Sequence, residues 1–151
     1  MTPEGMVHAL EEIHRLLKPA GSLVDIHPTL GPKMLEVHQG GRLLFAEPKP
    51  DYFVEGYAQA DNALARAVER QLFAVEQRGQ FDFLTYAPSI TELLEYIAET
   101  NAYNDSPKDE AESAREAELF ARVEGILRDT GEGAEVATHE TALIARMTPI
   151  R

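Results

Sequence analysis

Five histidines are the side chains of this 151-residue chain best suited to acid–base or metal chemistry. His8 and His14 lie six positions apart on one predicted helix, so they miss the i, i+4 spacing with which two imidazoles share a metal ion. His27, His38 and His139 fall on three different predicted elements. The chain has no cysteine, which excludes thiolate zinc sites, disulfides and thiol nucleophiles. We therefore expect no metal site.

Asp25 and His27 have the spacing of a substrate site. They occupy alternate positions of a predicted, mostly buried strand, Ser22 to Pro28, so both side chains share one face near its carboxyl end. Ligands of open α/β sheets bind beyond that end. The candidate substrate-binding residues are therefore Asp25, His27 and Tyr86, the last at the end of the next predicted parallel strand. The structural alternative is that Asp25 and His27 hydrogen-bond to each other or to a neighbouring loop. Ser-His-Asp nucleophilic chemistry has no support in the sequence, because no serine lies on a strand-to-helix nucleophile elbow. No catalytic residue is assigned.

The charge of the chain restricts its partners. It has 26 acidic and 14 basic side chains, a formal net charge of -12. Nucleic-acid binding needs lysine and arginine to displace counterions from phosphates, and this field repels a polyanion. We expect no nucleic-acid partner. The absence of a signal peptide and of a long apolar run predicts a cytoplasmic protein with no membrane partner.

Hydrophobic periodicity predicts an α/β domain over residues 1–151, with helices on both faces of a sheet in three layers. A glycine pair, Gly40-Gly41, predicts a hairpin between strands at 34–38 and 42–46. We expect this hairpin to be an insertion, residues 29–50, lying as a flap on the main body. The other predicted elements are a helix from Thr2 that Pro19 ends, the strand Ser22–Pro28, a helix Tyr57–Gln77 ended by Gly79, a strand Phe81–Tyr86, a helix opened by the capping box Ser89–Glu92, a helix capped by Ser106-Pro107 and ended by Gly131, and a strand Glu135–Met147.

The stretch ALEEIHRLLKPAGSLVDIHP, Ala9 to Pro28, resembles the segment leading from a helix into the fifth strand of class I S-adenosylmethionine-dependent methyltransferases. The family has a Lys-Pro-Gly-Gly turn there, and this chain has Ala20 in place of the first glycine. The resemblance implies that 81–86 is the sixth strand and 135–147 the antiparallel seventh. It thus implies a partial Rossmann-like methyltransferase fold, strands five, six and seven with flanking helices, plus the hairpin insertion.

The family's cofactor-binding features have no counterpart in this sequence. The family binds S-adenosylmethionine at a glycine-rich turn after its first strand and at an acidic residue after its second. Here Gly40-Gly41 belongs to a predicted hairpin, and Gly131 and Gly133 follow a helix. The resemblance therefore implies no cofactor-binding residue, and S-adenosylmethionine only if another half supplies its site. Three alternatives account for the missing cofactor-binding features. The chain is a truncated relative of the family, its cofactor half is on a second polypeptide, or the chain starts at an internal methionine of a longer protein.

These observations predict two functions. In the first, the chain resembles the substrate side of a methyltransferase and is inactive alone. In the second, it is a stand-alone, non-catalytic dimeric binding or scaffold module. If the resemblance does not hold, a compact α+β ligand-binding domain is a third interpretation.

The strand at 22–28 also predicts a partner. In the complete methyltransferase fold this strand is paired on both sides, so without the first four strands one edge is left unpaired. An unpaired edge invites another strand. We expect a homodimer through the edge 22–28, with a separate cofactor-binding half as the other partner to consider.

Overall fold

The computed structural model describes residues 3–50, 54–100 and 109–151 of the chain. Helices are interspersed with strands in the predicted order, and every pairing with a defined register is antiparallel. The predicted α/β class is confirmed at this level. The elements are α1 (Pro3–Leu16), β1 (Leu23–Pro28), β2 (Lys33–Gln39), β3 (Arg42–Lys49), α2 (Val54–Glu69), β4 (Phe73–Ala87), α3 (Ile90–Thr100), α4 (Glu110–Thr130) and β5 (Ala134–Pro149). Within the described residues, no helix is long and apolar enough to cross a membrane.

The chain is organised as two compact units. Unit 1 contains α1, β1, α2, the part of β4 up to Phe81 and the part of β5 from Thr141. Unit 2 contains β2, β3, the rest of β4, α3, α4 and the first part of β5. The expectation of a single domain over residues 1–151 stays a prediction. It implies that the two units unfold together.

The core of unit 1 forms around Ala67, Phe73 and Met147, against which Leu10 of α1 and Leu64 of α2 pack. β1 pairs antiparallel with β5, from Leu23 opposite Met147 to Pro28 opposite Ala142.

We expected β1 to be mostly buried, and this is wrong. Val24 and Ile26 are 53% and 58% exposed, because in unit 1 the strand buries only the face that points towards α2. The opposite face of β1 is open in the described part of the chain.

The helix predicted over Tyr57–Gln77 is wrong at its end. α2 stops at Glu69, and Phe73 to Gln77 belong to β4, as does Gly79. The helix ends because Gln71 adopts a positive φ of 57°, and the N–H groups of Gln71 and Leu72 donate to the carbonyls of Val68 and Ala67. Glycine is the usual residue at such a position, so a glutamine there gave no sequence signal. The strand predicted at 81–86 is the last part of the longer β4.

The hairpin of unit 2 is confirmed in its strands and wrong in its position. Gly40 and Gly41 turn the chain with φ of 57° and 77°, and β2 pairs with β3. However, β2 also pairs with β5, and its Leu35 and Val37 are fully buried against α3 and α4. The hairpin is therefore a central part of unit 2 rather than a flap.

In unit 2, the predicted start of α3 and the predicted end of α4 are confirmed. The N–H of Glu92 donates to Oγ of Ser89, which confirms the capping box of α3. Asp109 caps α4 by accepting from the N–H of Ala111, and Gly131 ends that helix. The predicted cap Ser106-Pro107 lies outside the described residues.

Candidate functional site

A cavity of about 290 Å³ lies within unit 1 and is lined by β1, α2, β4 and β5. This volume is close to the lower limit for small-molecule sites, about 300 Å³. Its polar lining consists of Asp25, His27, Asp61 and Arg78, and most of the remaining lining is aliphatic. A small apolar molecule with one polar group therefore matches the chemistry of the lining.

Asp25 and His27 face this cavity from β1, as their alternation along the strand predicts. Nδ1 of His27 lies 2.6 Å from Oδ2 of Asp25, so the hydrogen bond foreseen as the structural alternative is present. The His27 side chain is only 12% exposed. A carboxylate that hydrogen-bonds to one ring nitrogen fixes the orientation of the imidazole, and therefore the direction in which the other ring nitrogen points.

Asp61 completes the polar group and was missed by sequence reasoning. Its Oδ1 lies 2.9 Å from Nε2 of His27, and its side chain is 44% exposed. The contact joins α2 to β1 across 34 positions of sequence. One signal did exist: Asp61 lies on the helix face that continues through Leu64, Ala65 and Val68, where an apolar residue is the norm.

The resulting arrangement can accept, hold or pass a proton. The protonated imidazole of His27 donates to both Asp25 and Asp61. The neutral ring donates from one nitrogen only, so when Asp25 accepts from Nδ1, Nε2 becomes an acceptor for a ligand proton. Asp61, on the more exposed side, is then free to accept from the same ligand.

Tyr86 does not line this cavity. It lies in unit 2, where its ring packs edge-on against His38 with the ring centroids 5.4 Å apart. Within unit 1, Asp25 and His27 are grouped with Asp61.

Unit 2 has a second group of histidines and carboxylates. The two oxygens of Glu36 each lie 2.7 Å from an imidazole nitrogen, one of His38 and the other of His139. Asp82 lies 3.8 Å from the remaining nitrogen of His139. Both oxygens of the Glu36 carboxylate accept from imidazole rings, so this carboxylate is satisfied within the group.

Neither group has the arrangement of a metal site: in the part of the chain that the structure describes, no three His, Asp or Glu side chains are placed to hold a metal ion. Comparison of the chain with protein-family models, with curated proteins and with solved structures gave no match.

Proposed function

We propose that the chain is the acceptor-binding part of a class I S-adenosylmethionine-dependent methyltransferase and does not transfer methyl groups on its own. The observation that carries the proposal is the cavity of unit 1, where the Asp25–His27 pair of β1 lies beside an aliphatic lining. A methyl transfer needs an oriented acceptor next to the sulfonium methyl, and such a cavity supplies orientation.

The local structure around residues 9–28 supports the resemblance. α1 leads into β1 through a tight turn in which the N–H of Gly21 donates to the carbonyl of Lys18 at 2.8 Å. β5, which corresponds to the expected seventh strand, runs antiparallel to β1. These features agree with a helix, a fifth strand and an antiparallel seventh strand in a partial Rossmann-like fold.

The cofactor site would come from outside the residues described above. The glycine pair of this chain turns the β2–β3 hairpin, and Gly131 ends α4, so neither has the strand-to-helix context of a cofactor-binding turn. In the proposal, S-adenosylmethionine binds to a further half, while Asp25, His27 and Asp61 bind the acceptor.

The mass of the native protein tests this proposal. The protein is captured from its own cells with an antibody to the carboxyl-terminal residues and weighed intact with everything that co-purifies. We expect a species heavier than 16.8 kDa, or a second polypeptide with a glycine-rich turn that binds S-adenosylmethionine. Recovery of a 16.8 kDa chain accompanied only by itself contradicts the proposal.

The second candidate function, a stand-alone and non-catalytic dimeric binding or scaffold module, is favoured by the open face of β1. In the described part of the chain β1 pairs with β5 alone and exposes Val24 and Ile26. The edge of β1 that does not pair with β5 is therefore available to another strand. A second copy that pairs with residues 22–28 along this edge would also cover the exposed side chains. The mass measurement distinguishes the two candidate functions. The module is recovered only with copies of itself, whereas the methyltransferase part is recovered with a cofactor-binding half.

A further inference from the structure

We propose that the ligand of the unit 1 cavity is a small amine attached to an apolar body. This inference rests on the proposed function, because it names the chemical class of the acceptor that the cavity would bind. It starts from the sign of the charges around the cavity, which the sequence resemblance does not specify.

The charged side chains of the lining favour a cation over an anion. Asp25 and Asp61 contribute two carboxylates, and Arg78 contributes the one cation that is always charged. With His27 neutral, the formal sum is one negative charge. The net charge of -12 on the whole chain has the same sign and would attract cations to the site.

The hydrogen-bonding groups also match an amine. Asp61 belongs to α2 and is more exposed than Asp25 and His27, so it can leave Nε2 of His27 at the smaller cost and accept from an N–H of the ligand. Asp25 keeps Nδ1 of His27. Nε2 is then free to accept the proton that an ammonium group must lose before its nitrogen lone pair can react.

The rest of the cavity sets the size and polarity of the ligand. Leu64, Val68, Val75 and Leu143 line it with aliphatic surface. At roughly 30 Å³ for the space of one water molecule, about 290 Å³ holds on the order of ten non-hydrogen atoms. The ligand class is therefore an amine with one ring or a short branched chain.

Three probes of nearly the same shape test the amine class on the full chain: 2-phenylethylamine, the neutral 2-phenylethanol and the anionic phenylacetate. Dissociation constants come from titrations followed by the backbone amide signals of residues that line the cavity. We expect the amine to bind about tenfold more tightly than phenylacetate, because one charge-assisted hydrogen bond to a carboxylate forms with the amine and cannot form with the anion. Tighter binding of phenylacetate, or no binding of any probe, overturns the inference.

Three variants assign the effect to the cavity. Asp61→Asn should weaken binding of the amine about tenfold and change binding of phenylethanol by less than about twofold, because a charge is lost and the shape is kept. Arg78→Gln should strengthen amine binding, since it removes the opposing charge. Asp129→Asn, an exposed position on α4 in unit 2, makes the same change in net charge and should leave amine binding unchanged.

Equal effects of Asp61→Asn and Asp129→Asn would overturn the inference, because the charge of the whole chain rather than the cavity would then attract the amine. Failure of the amine class is separable from failure of the methyltransferase proposal. The first is decided by the order of the three probes, and the second by the mass of the native protein.

Discussion

Two acid-x-histidine pairs recur on neighbouring strands in the sequence, and they have opposite arrangements. Asp25 and His27 of β1 lie on one face, as do Glu36 and His38 of β2, and each pair is within hydrogen-bonding distance. His27 lies between two carboxylates, whereas Glu36 lies between two imidazoles. The first group faces a cavity. The second has a buried centre, because the Glu36 side chain is only 8% exposed and takes its hydrogen bonds from its two imidazole partners.

At the residue scale, Glu36→Gln should destabilise the protein by about 2–3 kcal/mol. The amide keeps one acceptor for the two imidazoles and places an NH2 group against a ring N–H, so a buried donor is left unsatisfied. The free energy of unfolding from urea titrations measures the loss.

The matched control is Glu47→Gln on β3. Glu47 is paired with Arg122 at 2.7 Å, but its side chain is 37% exposed. An exposed ion pair contributes little, and we expect a loss below about 1 kcal/mol. Equal losses for the two variants would show that the contribution of Glu36 to the free energy of unfolding does not come from its burial between the imidazoles.

At the scale of elements, two glycines have opposite roles. Gly21 closes the turn between α1 and β1, and a methyl group there would lie 2.9 Å from Cγ of Leu17 and 3.0 Å from the carbonyl oxygen of Lys18. Gly125 lies inside α4, and a methyl group there would meet no atom within 4 Å. Gly21 is required because a larger residue has no space there. Gly125 is not required for space, and as a glycine inside a helix it only weakens α4.

Gly21→Ala should therefore destabilise the protein by about 1–2 kcal/mol, because Leu17 packs on the core of unit 1 and cannot move without cost. Gly125→Ala should stabilise it by about 0.5–1 kcal/mol, through the better helix propensity of alanine and a less flexible unfolded chain. Thermal and urea unfolding of both variants measure the two changes. The same sign for both would contradict the assigned roles.

At the scale of the whole molecule, the open face of β1 is the surface most suited to a partner. Val24 and Ile26 project from it, and Leu16 and Leu30 of the same unit are also exposed. Unpaired strand edges with apolar neighbours are places where another chain adds. The pairing of two copies through residues 22–28 follows from the second candidate function.

Val24→Lys combined with Ile26→Lys should convert a dimer into a monomer, because lysines on a strand edge oppose pairing with another strand. Light scattering coupled to size exclusion measures the mass. The control Leu43→Lys changes an equally exposed apolar residue in unit 2 and should leave the dimer intact. A monodisperse monomer of the unsubstituted chain would contradict the self-pairing.

Sequence reasoning was most successful where the signal is local. The capping box at Ser89, the hairpin at Gly40-Gly41 and the end of α4 at Gly131 each depend on residues within a few positions of one another. The end of α2 was missed because Gln71 adopts a conformation that glycine usually marks. The length of β4 was missed because its residue Val75 continues the apolar spacing of the helix before it, so the start of the strand was assigned to that helix.

The amino-acid sequence by itself determined the α/β class, the order of the elements and the shared face of Asp25 and His27, because periodicity and turn chemistry act over short distances. Only the tertiary structure decided that Asp61 joins His27 from α2, that Glu36 lies between two imidazoles and that β2 is buried in a core. Those contacts join residues far apart in the chain. They depend on how helices pack on strands, which no short stretch of sequence specifies.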